Sequence, residues 1–206
     1  SGAIILGKTV TTEMALSAPG KTTNPHDPKR TPGGSSSGSA AAVGDNMVPL
    51  SVGSQTGGSV IRPASFCGIF GYKPTFGSIS RHGMSLLARR LDHVGVYGRC
   101  IDDLALIGDA LMVNDSADWD MVKNPGQSLV KKLQEQLQNI PRMAFVRGPI
   151  WDQAEEDMAD AIEGFMRGLG DKVKDVELEG LFSNIVNCHV TIMNANLSAY
   201  LGERVS

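Results

Sequence analysis

The apolar positions of this chain fall into short runs separated by small and polar residues. Residues 3–6 are apolar and predict a strand, which turns through Gly7 and Lys8. Thr11 or Thr12 then caps a short helix carrying Glu13, Met14, Ala15 and Leu16. Four prolines (Pro19, Pro25, Pro28, Pro32) and little apolar content predict an irregular surface loop over 17–34. A helix opens at 35–38 and holds Ser39, Ala40, Ala41, Ala42 and Val43, side chains small enough to pack close against a sheet. The apolar run 47–52 predicts a buried strand reaching Ser54. Residues 55–58 form a tight turn, and 59–62 begin a second helix with Pro63 in its first turn. Residues 67–72 read as another buried strand.

Residues 78–98 carry no clear period. Residues 102–112 do: Leu104, Leu106, Ile107 and Leu111 share a helix face, and Asp102 and Asp103 stand where the helix dipole favours acids. After a polar break at 115–120, the pattern predicts an amphipathic helix over 128–137 and a strand over 142–146. An acidic helix over 152–169, a strand over 172–178 and a helix over 181–201 follow. Ile185, Val190, Ile192 and Leu197 of that last helix are expected to face a core. Strands alternating with helices predict an α/β fold, in α/β/α layers with a mixed β-sheet covered by helices. The chain is expected to be the central part of a single domain, 1–206, with a core at 1–113 and a peripheral α/β region at 114–206.

Composition narrows the function more than the fold. Of the 206 residues, 41% are hydrophobic and 20% charged, with a net charge of −3, which suits a packed domain and gives no reason to expect direct nucleic-acid or membrane binding. Cys67, Cys100 and Cys188 lack CxxC spacing, and an odd count of unspaced thiols fits a reducing, cytoplasmic setting. No signal peptide or long apolar run is present, so no membrane span is expected. The chain opens on Ser1 directly before a strand-like run and ends just after a helical one, and both ends read as cuts through a larger protein.

The candidate chemistry lies between Gly33 and Lys73, where two clusters of Gly and Ser each precede a helix. Gly34-Ser35-Ser36-Ser37-Gly38 has the form GxSxG, but a Pro-rich loop precedes it where a hydrolase elbow needs a strand. The glycines at 53–58 lack the Gly-Lys-Ser/Thr ending of a phosphate loop. Ser128 to Lys131 fits SxxK on a solvated helix. His26, His82, His93 and His189 have no metal-ligand spacing, and no metal is expected. The paired arrangement remains. Thr56, Gly57, Gly58 and Ser59 would gather backbone N–H groups around one point, as a tetrahedral oxyanion requires. Ser59 is then the nucleophile and Ser35 the relay.

These residues carry a resemblance. Gly7-Lys8-Thr9, Thr31 to Ser36, Ser39 to Val43, Gly53 to Ser59, Phe66-Cys67-Gly68, Gly71 to Thr75, Leu91 to Gly95, Arg99 and Asp102 to Ala105 together resemble the amidase signature family. The likeness is strong to about Met112 and fainter beyond. It implies a Ser–cis-Ser–Lys triad, with Ser59 as acyl acceptor and Ser35 as the bridging serine after a cis peptide bond. Thr56, Gly57 and Gly58 would form the oxyanion hole, with Gln55, Ser36 and Arg62 in support. The activity implied is hydrolysis of a carbon–nitrogen amide bond in a small molecule, with no cofactor and with a homodimer left open. The family's catalytic Lys lies upstream of the Gly-Lys-Thr motif, so neither Lys8 nor Lys73 takes that role, and this chain alone is expected to be nearly inactive. Gln55 stands where many members carry an Asp that pairs with the nearby Arg; Arg62 falls one residue later than usual; Arg90 replaces a small polar residue. Two other readings stand beside the amidase: the amidase subunit of a tRNA-dependent amidotransferase, and a non-catalytic binding module on the same fold.

Overall fold

The computed structural model describes residues 2–122, 128–135, 141–178 and 180–205. The chain forms two compact units, Ser1–Glu135 with Asn196–Ser206, and Gln136–Ala195.

The first unit is built on three antiparallel strands in the order β1-β3-β2. They are β1 (Ser51–Gln55), β2 (Phe70–Tyr72) and β3 (His93–Gly98). Helix α1 (Ser37–Gly44) packs on β1 and β3, and α2 (Ile61–Phe66) packs on β2. Helix α3 (Ile101–Leu111) packs on β3 and β2, and α4 (Leu129–Gln134) packs on α3.

Side chains alternate across a strand, so the register sorts them by face. Ser51 pairs with Tyr97, Gly53 with Gly95 and Gly71 with Tyr97, which puts these residues on one face. That face meets α1 and α2 through a core of Ala40, Ala41, Val43, Val60, Ala64, Cys67 and Tyr97. Tyr72 pairs with Val96 on the opposite face, where Tyr72 lies against Gly108 of α3. Helices thus cover both faces, giving the α/β/α layering expected from the alternating pattern.

Glycine is required at the centre of the inner face. A Cβ on Gly53 would stand 2.8 Å from Ser36 Oγ, and one on Gly95 would stand 2.7 Å from a Val60 methyl. Since real Cβ contacts are longer, the missing side chains let the two Ser-bearing turns approach the sheet.

In the second unit, β4 (Met143–Phe145) and β5 (Val173–Asp175) pair in parallel, joined by the crossover that carries α5 (Glu156–Leu169). Arg147 binds Glu163 at 3.1 Å and Asp175 at 3.0 Å. Helix α6 spans Ile185–Val205, its residues up to Ala195 belonging to this unit and those from Asn196 to the first.

Several expectations are corrected here. Residues 3–6 form no strand: Ile4 and Ile5 are 87% and 89% exposed, because no described strand offers them ladder partners. Thr11 and Thr12 precede only a 3-10 turn, Glu13–Ala15, closed by Thr12 Oγ1 donating to Leu16 O at 2.6 Å. Helix α1 begins at Ser37, not Ser35. The strand expected over 47–54 starts at Ser51, leaving Met47 largely exposed. The strand expected over 67–72 is confined to Phe70–Tyr72, since Cys67 ends α2. The unassigned stretch 78–98 contains β3, the central strand. Ile185, Val190 and Ile192 are each more than 40% exposed rather than part of a core. The helix expected over 152–169 starts as a 3-10 turn, Trp151–Gln153, before α5. Leu137, the end expected for α4, lies outside the described residues.

Candidate active site

The two Ser-bearing turns meet over the glycine floor. Ser35 and Ser59 are both buried, at 3% and 9% exposure. The Gly34–Ser35 peptide bond is cis, the isomer the resemblance implies there. Ser35 O accepts from Thr12 N at 2.9 Å, Thr11 Oγ1 at 3.0 Å and Ser37 N at 2.8 Å, so its backbone is fixed on three sides.

Ser36 stitches the first turn to β1. Its Oγ accepts from Ser54 N at 3.0 Å and donates to Ser54 O at 3.1 Å, while Ser36 N donates to Ser59 O at 3.4 Å. The same Ser59 carbonyl accepts from the Tyr97 hydroxyl at 3.1 Å. Tyr97 is fully buried, and desolvation of its phenolate pushes its pKa above the usual tyrosine value, which keeps the donor protonated.

Gln55 supports the second turn in a way the resemblance did not imply. Its Oε1 accepts from Val60 N at 2.9 Å and Ile61 N at 3.0 Å, satisfying two of the donors that open α2. An amide thus fills the position where an Asp–Arg pair was the expected alternative. Arg62 remains at the site, its guanidinium 3.0 Å from where a Cβ on Gly58 would stand. Arg62 N also donates to Gly58 O at 2.9 Å.

Asp92 was not singled out for the paired-serine site. It is 2% exposed and accepts the Thr56 hydroxyl at 2.5 Å. Its only signal in sequence is an acid beside the small and apolar residues of 93–98, a stretch whose lack of a clear period hid β3. Behind it, Arg81 Nη1 donates to Asp92 O at 3.3 Å, and Arg81 pairs with Asp120 at 2.7 Å and Asp118 at 3.5 Å. The polar break at 115–120 is therefore an anion set for a buried arginine.

The sequence-predicted residues Ser35, Ser36, Gln55, Thr56, Gly57, Gly58, Ser59 and Arg62 fall on these two adjoining turns, the end of β1 and the start of α2. Lys8 is exposed, and Lys73 Nζ donates to Pro74 O at 2.7 Å. Among the described residues, no group of three or more His, Cys, Asp or Glu side chains could hold a metal ion.

The family profile described as Amidase matches residues 1–201. The chain belongs to the amidase family. It is 37% identical to the A subunit of the glutamyl-tRNA(Gln) amidotransferase of Legionella pneumophila (strain Paris), over 99% of this chain and 44% of that protein. The structure is similar to the A subunit of the glutamyl-tRNA(Gln) amidotransferase from Thermotoga maritima, with TM-score 0.83 and 33% identity over 98% of this chain and 47% of that one. It is also similar to the peptide amidase from Stenotrophomonas maltophilia, with TM-score 0.78 and 26% identity over 98% of this chain and 45% of that one. The chain thus spans less than half the length of these amidase relatives.

Proposed function

We propose that the whole protein hydrolyses a carbon–nitrogen amide bond of a small molecule by acyl transfer through Ser59. The observation that supports this best is the joining of the two Ser-bearing turns, with Ser36 N on Ser59 O. Ser59 Oγ attacks the amide carbonyl carbon and its proton passes to Ser35 Oγ. Ser35 in turn hands its own proton to a lysine base supplied from outside residues 1–206. The negative charge that develops on the carbonyl oxygen is received by the main-chain N–H groups of Thr56, Gly57, Gly58 and Ser59. One such donor is worth roughly 10²–10³ in rate. The C–N bond breaks as the protonated lysine returns its proton, through Ser35, to the leaving nitrogen, and an acyl ester remains on Ser59. Water then attacks the ester, releasing the acid and restoring the Ser59 hydroxyl.

Ser36, Gln55 and Arg62 support the two turns, and the chemistry needs no metal or cofactor. We place residues 1–206 in the middle of one amidase domain. Net charge of −3 favours a small-molecule substrate over direct nucleic-acid binding. No helix among the described residues is long and apolar enough to cross a membrane, and we assign the protein to the cytoplasm.

A second reading follows from the relatives: 37% identity over 99% of this chain is shared with the A subunit of an amidotransferase, which favours a subunit that passes ammonia to partners. Copurification of partner subunits with the whole protein separates the two. The direct test is amine or ammonia release from a panel of simple amides by the whole protein and its S59A and S35A variants. Loss of either serine is expected to cost roughly 10³-fold or more in rate. Turnover unchanged in S59A contradicts the proposal.

A further inference from the structure

We infer that Asp92 is a positioning residue of the acyl-transfer site, fixing Thr56 and with it the turn that receives the oxyanion. This rests on the reading of Ser59 given above and extends it to a residue outside the two Ser-bearing clusters.

Strand register brings the two residues together. Gln55 pairs with His93, so Thr56 and Asp92 face each other one step beyond the end of the β1–β3 ladder. There the backbone bonds stop and a side-chain bond replaces them, with Asp92 Oδ1 accepting from Thr56 Oγ1 at 2.5 Å. The other carboxylate oxygen accepts from Leu87 N at 2.6 Å and Ala88 N at 2.9 Å. One oxygen therefore serves the oxyanion turn and the other serves the loop before β3.

The main chain of Asp92 is also held from behind. Asp92 N donates to Ala88 O at 2.9 Å, and Asp92 O accepts from Arg81 Nη1 at 3.3 Å. Arg81 is buried, sits 4.5 Å over the Phe76 ring, and is paired with Asp118 and Asp120. A donor set fixed before the reaction needs no reorganisation as charge develops, which is where such sites gain their rate. The Thr56 hydroxyl proton is committed to Asp92, so Thr56 serves the site through its main chain.

The test uses the whole protein and a fluorophosphonate, reading the inactivation rate at saturation (kinact) and the half-saturating concentration (KI) separately. T56V keeps the shape of Thr56 and removes the hydroxyl. The expected result is a fall in kinact of about 10- to 100-fold, the cost of a small misplacement of reacting groups, with KI within about threefold and an unchanged circular dichroism spectrum. T56S, which restores the hydroxyl, regains at least tenfold over T56V. D92N also slows kinact, and the T56V/D92N double variant is no slower than D92N alone, because both changes break one link. If D92N does not fold, the T56V and T56S pair decides. A T56V protein within threefold of an active wild type overturns the inference alone, as do losses that multiply in the double variant. A folded wild type that takes no fluorophosphonate overturns the acyl-transfer reading, and the inference falls with it.

Discussion

The buried Tyr97 hydroxyl donates to the carbonyl oxygen of Ser59 at 3.1 Å, tying the centre of the sheet to the proposed nucleophile. Y97F keeps the ring and removes the donor. Among the described residues, Ser59 O then retains the longer contact from Ser36 N, 3.4 Å. A buried hydrogen bond lost in this way costs about 1–2 kcal/mol. Urea denaturation of the whole protein is expected to show that loss. A midpoint unchanged in Y97F contradicts it.

Gly53 and Gly95 are predicted to be intolerant of even one methyl group. A Cβ on Gly95 would also stand 2.9 Å from Tyr72 O, a backbone atom that cannot swing aside. Overpacking of this kind costs about 1–3 kcal/mol. G95A is expected to lower the melting temperature and to slow fluorophosphonate labelling together, since Val60 adjoins Ser59. A G95A protein as stable as wild type removes the close-approach argument.

Gln55 acts through its carbonyl oxygen. Q55E presents an oxygen acceptor to Val60 N and Ile61 N, whereas Q55A presents none. Q55A is expected to lose about 1 kcal/mol, the usual cost of removing an acceptor at a helix start, and Q55E to keep more of the stability than Q55A. Chemical denaturation of the three proteins checks the order. Equal stability of Q55A and wild type refutes it.

The ion set around Arg81 predicts a specific acid response. Hydrogen bonding from Arg89 is the main cause that holds the Asp120 carboxyl down to about 2, against partial desolvation, with Arg81 adding to the effect. A depressed folded-state pKa gives stability that is present above the ordinary carboxylate value, near 4, and is lost as pH falls from there through about 2. D120N is expected to flatten that part of the stability–pH curve and to lower stability at neutral pH. A D120N curve parallel to wild type between pH 4 and 2 contradicts the assignment.

Where local pattern decides structure, the sequence was informative. Asp102, Leu104 and Leu111 mark α3 because its period and its acidic start agree, and Cys100 caps it by accepting from Asp103 N at 3.4 Å. The Gly and Ser clusters mark both turns of the site because few other residues allow so close an approach. Pairing was not legible. Ile4 and Ile5 look like a strand but find no partner, while His93 to Gly98 forms the central strand despite two glycines. Gly95 is there for Val60, a contact made across 35 residues that no local window contains. The link from Asp92 to the paired-serine site was hidden for the same reason, since it depends on facing Thr56 across the β1–β3 register. The exposed apolar residues of α6 defeated the core expectation because periodicity gives a face and not what covers it.

The central claim is that Ser59 is the acyl-accepting nucleophile. Its most direct test is the intact mass of the whole, folded protein after fluorophosphonate treatment, followed by peptide mapping. One adduct per chain is expected, mapped to Ser59 and absent in S59A, with residues 1–206 alone remaining unlabelled. A folded whole protein that carries no adduct, or one that S59A still carries, contradicts it and leaves a binding module on the same fold as the better reading.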